Sequence, residues 1–244
     1  MNVIFMKEMS VIHKASGTLI SWTLCSMMLV GATFLFGKSP SDRVRPKDGP
    51  LSDREISLIS EGDSVMWVYQ VTDVREESAL RTPAVEFTRE DLSSDAVRVL
   101  SRKMLSTVQA PQYGGVGLAG PQVGLSRRII VVCRLDKAGE PYEVYPNVKI
   151  DALWGDIVKG SEGCLSIPPY EGEVPRFSYA AISYVDPESL AVRKDTVSGY
   201  VARIFQHECD HLEGILFTDR VDSLSIDKKW EKEWNEFLSS RESR

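Results

Sequence analysis

Most of the chain alternates apolar and polar residues with a recognisable period, but residues 15–37 carry no charged side chain, and 19–36 are mostly apolar. That length matches one bilayer-spanning helix and exceeds the usual apolar region of a cleaved leader. Lys7 and Lys14 precede the segment, whereas Lys38, Arg43, Arg45 and Lys47 follow it, so the charge asymmetry places the C-terminal side in the cytoplasm. The pattern therefore predicts an N-terminal single transmembrane helix within 1–38. A start at Met66, which would remove the segment altogether, is the competing reading. Residues 39–65 combine Pro40, Pro46 and Pro50 with serines and mixed charges, the composition of an exposed linker without a core.

Further on, spacings of three and four at Leu92, Ala96, Val99, Leu100, Met104 and Val108 predict an amphipathic helix over 90–108. Thr88 is available as its cap, and Pro111 with Gly114 and Gly115 ends it. Runs rich in β-branched and aromatic residues at 128–134, 143–145 and 179–185 predict a sheet in the middle of the chain. Residues 197–209 read as the end of a strand passing into a helix. Ile226, Trp230, Trp234, Phe237 and Leu238 place an apolar stripe on an amphipathic C-terminal helix within 223–244. Strands and helices in this order indicate an α+β domain over 66–222. Hydrophobic residues at 43% and charged residues at 26% are ordinary for a globular protein. The net charge of -6 supplies no basic field, so direct nucleic acid binding is not expected. Four cysteines, at 25, 133, 164 and 209, include no CxxC pair, which argues against a disulfide scaffold and for a reducing compartment.

The densest chemistry lies in QHECDHLEG at 206–214. His207 and His211 are four residues apart, so on a helix both imidazoles face one ion, and Glu208 projects beside them as a candidate base. The chain has three histidines, and two of them fall at this spacing. A catalytic site of this kind needs a third protein ligand and one open position. His13 lies near the apolar segment, so the third ligand is a Cys, Asp or Glu. Glu213, Glu231, Glu233 and Glu236 would suit a zinc metalloprotease. Cys164, within EGCLS at 162–166, is the stronger candidate because the preceding glycine permits close backbone approach. Cys209, two residues past His207, points about 200° around the helix and reads as core. Cys133 and Cys25 read as packing residues. GVGLAGPQVG at 115–124 is flexible backbone ending in Gln122, an uncharged amide donor suited to a polarised carbonyl.

Together, in this order, GVGLAGPQVG, EGCLS and QHECDH resemble the three signature motifs of the peptide deformylases. The resemblance spans roughly 66–222, including ALRTP at 79–83 and GILFTDR at 214–220. It implies Cys164, His207 and His211 as ligands of one divalent metal, iron(II) foremost with zinc or nickel able to substitute. It implies Glu208 as general acid and base, and Gln122 with the Leu165 N–H as oxyanion donors. Backbone contacts to an extended peptide fall on Val116, Gly117 and Gly163, and a methionine pocket on Val116, Ile204 and His207. The implied fold surrounds a central metal-binding helix with antiparallel strands. The implied substrates are formylated nascent peptides at the ribosome, met by a monomer in the cytoplasm, tethered to the membrane if 19–36 spans it. Two positions depart from the family pattern. Gly120 replaces a usual alanine, which predicts a looser loop around Gln122, and Glu171 stands where arginine is common. A metal-stabilised binding module without catalysis is the remaining alternative, and it predicts damage at Glu208 or Gln122. Neither residue is altered.

Overall fold

Two antiparallel sheets form the frame of the protein, whose computed structural model describes residues 49–242. The expected membrane span at 19–36 lies outside them, as do His13 and Cys25. Among the described residues no helix is long and apolar enough to cross a membrane. One sheet orders β1 (Gly117–Ala119), β2 (Ile129–Cys133) and β3 (Tyr142–Pro146). The other orders β4 (Lys149–Gly163), β5 (Tyr170–Val185) and β6 (Val192–Ser198), with the short β7 (Ser225–Ile226) paired to β5. Every residue of β2 is buried, which explains why its sequence shows an unbroken apolar run instead of alternation.

Helix α5 (Gly199–Leu212) packs against β1, β2 and β5. Ten of its fourteen residues are buried, so it is a core helix enclosed by strands and not a surface helix with one wet face. Phe205 meets Tyr145 of β3 edge to face, with ring centroids 4.9 Å apart, and Val201, Ala202 and Leu212 join the same core. The expected α+β arrangement of antiparallel strands around a central helix is therefore the observed one.

Several expectations need correction. The helix expected over 90–108 is two helices, α3 (Arg89–Ser93) and α4 (Asp95–Val108). Ser94 between them is extended and its side chain accepts from the Val97 N–H, so it closes one helix and caps the next, while Thr88 caps only the first. The glycine-rich run is not loose: Gly117–Ala119 is a buried strand and Gly120–Val123 a buried 3-10 turn. Strand β4 went unread because its residues are mostly exposed and follow no regular alternation, yet it pairs with β5 along nearly its whole length.

The linker expectation for 39–65 fails over its described part. Helix α1 (Asp53–Ser60) begins with a Ser52–Glu55 capping box and buries Ile59 in the core. Arg127, 3% exposed, donates to the Glu55 carboxylate at 2.6 and 3.0 Å and to the carbonyls of Gly49 and Pro50. Lys103 reaches the carbonyl of Glu61 at 2.6 Å. The folded unit therefore does not begin at Met66. Nor does it end at 222, because α6 (Lys228–Glu242) buries Trp234 and stacks it on Trp67 with centroids 6.3 Å apart. Ile226, expected on the stripe of this helix, lies in β7 opposite Tyr170.

Candidate active site

Helix α5 carries His207, Glu208 and His211 on one side, and the turn after β4 brings Cys164 to meet them. One ligand atom from each of Cys164, His207 and His211 lies within 4.8 Å of the others. The Cys164 Sγ is 3.2 Å from His211 Nε2, and the two imidazole rings are inclined at 73°. Burial pushes the His211 imidazole well below its usual pKa, whereas for His207 the hydrogen bonds to Cys164 and Glu162 outweigh burial and raise it. Cys209 stands outside this group, buried in the core, and its thiol is pushed up to about 12. The other candidate ligands point elsewhere. Glu213 pairs with Arg128, while Glu231, Glu233 and Glu236 pair with Lys228, Lys229 and Lys232 along α6.

Glu208 is 4% exposed, and its Oε2 has no hydrogen-bond partner. Burial pushes its carboxyl up to about 7, where it can both take and return a proton near neutral pH. Gly117 makes room for it: a Cβ at that position would collide with the Glu208 carboxylate. Gln122 is oriented by the Ala119 N–H, which donates to its Oε1 at 2.8 Å. Its amide nitrogen consequently faces the site, 3.2 Å from Ser166 Oγ and 3.6 Å from Cys164 Sγ.

Sequence reasoning missed the residues that hold these groups in place. Glu162 lies 3.0 Å from His207 Nδ1 and accepts a two-point contact from Arg176 at 2.9 Å and another bond from Arg203 at 2.8 Å. Burial alone would raise the Glu162 carboxyl, but the hydrogen bonds from Arg176 and His207 outweigh it and hold the group at about 2. A permanently ionised acceptor fixes Nδ1 as the donor, which leaves His207 Nε2 for the site. The available signal was Arg203, one helical turn before His207 on the same face. Residues 68–71 were also missed. The Tyr69 N–H donates to the Gln122 carbonyl, the Gln70 amide to the Leu165 carbonyl and the Val71 N–H to the Ser166 carbonyl, so this segment ties the Gln122 turn to the Cys164 loop.

A cavity of about 330 Å³ opens beside these groups. Val116, Gly117, Gln122, Gly163, Cys164, Leu165, Ile204, His207 and Glu208 all line it, so the structure brings the expected ligands, donors and substrate contacts to one place, with His211 just behind. A Cβ at Gly120 would lie 2.5 Å from the Arg127 carbonyl oxygen and 2.9 Å from that of Leu125, so the backbone here leaves no room for a side chain. Glu171 accepts from Ser161 at 3.1 Å and Ser225 at 3.3 Å, linking β4 to β7.

A cysteine sulfur and two imidazoles that converge this closely suit a divalent first-row metal, and the Glu162 contact to His207 is the outer support such ligands usually have. Comparison with known proteins agrees with the geometry. The family model described as polypeptide deformylase matches residues 68–227. A peptide deformylase of Symbiobacterium thermophilum is 45% identical over 50% of this chain and 56% of its own length. One from Thermomicrobium roseum is 44% identical over 54% of this chain and 75% of its own. Among solved structures, a peptide deformylase of Synechococcus elongatus in complex with actinonin superposes with a TM-score of 0.58 at 33% identity, covering 75% of this chain and 90% of that one. The chain thus belongs to the polypeptide deformylase family, a family of hydrolases.

Proposed function

We propose that the chain removes the formyl group from the N-terminal formyl-methionine of nascent polypeptides, releasing formate and a free amine. The observation that carries this reading is the placement of Glu208 and the Gln122 amide on one cavity beside Cys164, His207 and His211. A metal held by those three residues would supply Lewis acidity, iron(II) being the foremost candidate and zinc or nickel compatible with the same donors. Glu208 takes a proton from the attacking water and returns it to the departing amine nitrogen, a role typically worth about 10²–10⁴ in rate. Gln122 and the Leu165 N–H hold the charge that develops on the formyl oxygen, and loss of one such donor typically costs about 3 kcal/mol. Val116, Ile204 and His207 receive the methionine side chain, and the backbone at Gly117 and Gly163 pairs with the peptide. Such substrates emerge from the ribosome, so the catalytic unit works in the cytoplasm. A tether through 19–36 rests on the hydropathy and flanking charges of that segment alone.

The test is release of the carboxylic acid and the free methionyl amine by the full-length chain, loaded anaerobically with iron(II), from matched formyl- and acetyl-methionyl tripeptides, formate being the acid from the first and acetate from the second. The formyl peptide should react roughly ten- to two-hundredfold faster, because an extra methyl must fit against the Gln122 and Leu165 donors. Equal rates would point to a broad amidase, and cleavage of internal peptide bonds to a protease.

A further inference from the structure

The C-terminal helix contributes one residue to the cavity, Trp230, although this helix lies outside the three motifs. Its ring rests on Gly163, where a Cβ would lie 3.0 Å from the indole Cζ3. Trp230 is anchored on both sides. Before it, β7 pairs with β5, the Asp227 N–H donates to the Pro169 carbonyl at 3.0 Å, and the Asp227 carboxylate caps the Trp230 N–H at 3.0 Å. After it, Trp234 and Phe237, four and seven residues on, lock the same face of α6 against Trp67 and Tyr113. An aromatic wall held this firmly offers apolar area with little ordering cost.

Building on the deformylase reading, we infer that Trp230 is a specificity-determining residue that selects apolar side chains immediately after the formyl-methionine. A peptide with its formyl group near Cys164 and Gln122, and its methionine against Val116 and Ile204, continues past Gly163 at about 3.3 Å per residue. The next residues therefore run along the indole. The charged neighbour Arg203 is committed to Glu162 and to the carbonyls of Gly160, Val158 and Val174, and so gives a polar side chain no competing partner.

The experiment compares wild type, Trp230→Phe and Trp230→Ala as full-length chains on formyl-Met-Leu-Phe and formyl-Met-Ser-Gly. Formate release gives kcat and KM, and calorimetry with the deformylated products Met-Leu-Phe and Met-Ser-Gly gives affinity independently of turnover. Wild type should favour the apolar peptide. Trp230→Ala should shrink that preference about tenfold, chiefly through KM and product affinity, as loss of an aromatic contact and its buried area predicts. Trp230→Phe, which keeps an aromatic face, should retain most of it. An equal loss on both peptides, or an unchanged ratio in both assays, would overturn the selective role. A wild-type chain that releases formate from neither peptide would instead overturn the deformylase reading, and this inference with it.

Discussion

Around Glu162, two guanidinium groups and an imidazole converge on one carboxylate, whereas around Arg127 one guanidinium is divided among one carboxylate and three backbone carbonyls. Each cluster centres on a buried side chain, and both close hydrogen bonds between segments distant in sequence. They differ in which partner is in excess. With cations in excess, Glu162 is held ionised and dictates the tautomer of His207, so that cluster sets chemistry. With acceptors in excess, Arg127 works as a strap that fastens the segment before α1 to the sheet, and no group in it faces the cavity. A buried charge therefore reveals its task less by its burial than by what its partners are left to do.

The widest separation between the two regions should come from Glu208, which sits beside the first cluster without joining it. Glu208→Gln should lower kcat by about 10²–10⁴ while metal content, measured by atomic emission, and the urea midpoint both stay at wild-type values. Loss of metal would mean that Glu208 is a ligand. Arg127→Met should do the reverse. It removes the partner of a carboxylate that retains some exposure, so the expected loss is about 2–3 kcal/mol in urea unfolding, below the ~3–5 of a fully buried pair. Turnover by the folded fraction should be unchanged, and a drop in kcat would show that the strap also shapes the site. Glu162→Gln should weaken metal affinity about 10–100-fold through the loosened His207, detected by competition with a chelator. A change in stability alone would reduce Glu162 to a structural residue.

The smallest effect concerns acid stability. Burial by itself would raise the Glu55 carboxyl, but hydrogen bonds from Arg127 and Ser52 overcome it, so its folded pKa lies below the usual 4.5. A depressed carboxylate stabilises the fold above its unfolded pKa, and that contribution fades as pH falls through the folded value. Glu55→Gln should therefore be less stable than wild type at neutral pH, with the difference narrowing below about pH 4.3. A gap that stays constant down to pH 3 would remove Glu55 from the pH dependence.

The parts of the site legible in the sequence were those whose geometry is local. His207, Glu208 and His211 lie within five residues, so helical spacing alone puts them on one side. Cys164 could be reached only by excluding other ligands and by resemblance, since nothing local ties it to α5. Glu162, Arg176 and Arg203 stayed hidden for a related reason: each gains its meaning from a long-range contact, and in isolation a charged residue reads as solvated surface. The fold divided in the same way. β2 announced itself by an unbroken apolar run, whereas β4 stands mostly exposed. Helix α1 carried a readable signal in Ser52 and Glu55, but the prolines ahead of it drew the reading toward a linker.

The stacking of Trp234 on Trp67 also bears on the order in which the molecule can be completed. Synthesis proceeds from the N-terminus, so Trp67 emerges well before its partner Trp234. Until α6 has been made, the apolar surface around Trp67 and Tyr113 stays uncovered and the wall over Gly163 is missing. Contacts between residues this distant in sequence are slow to form. A chain halted before α6 would carry all three motifs and still present a sticky, open-sided precursor, so the turns of α6 finish both the core and the cavity.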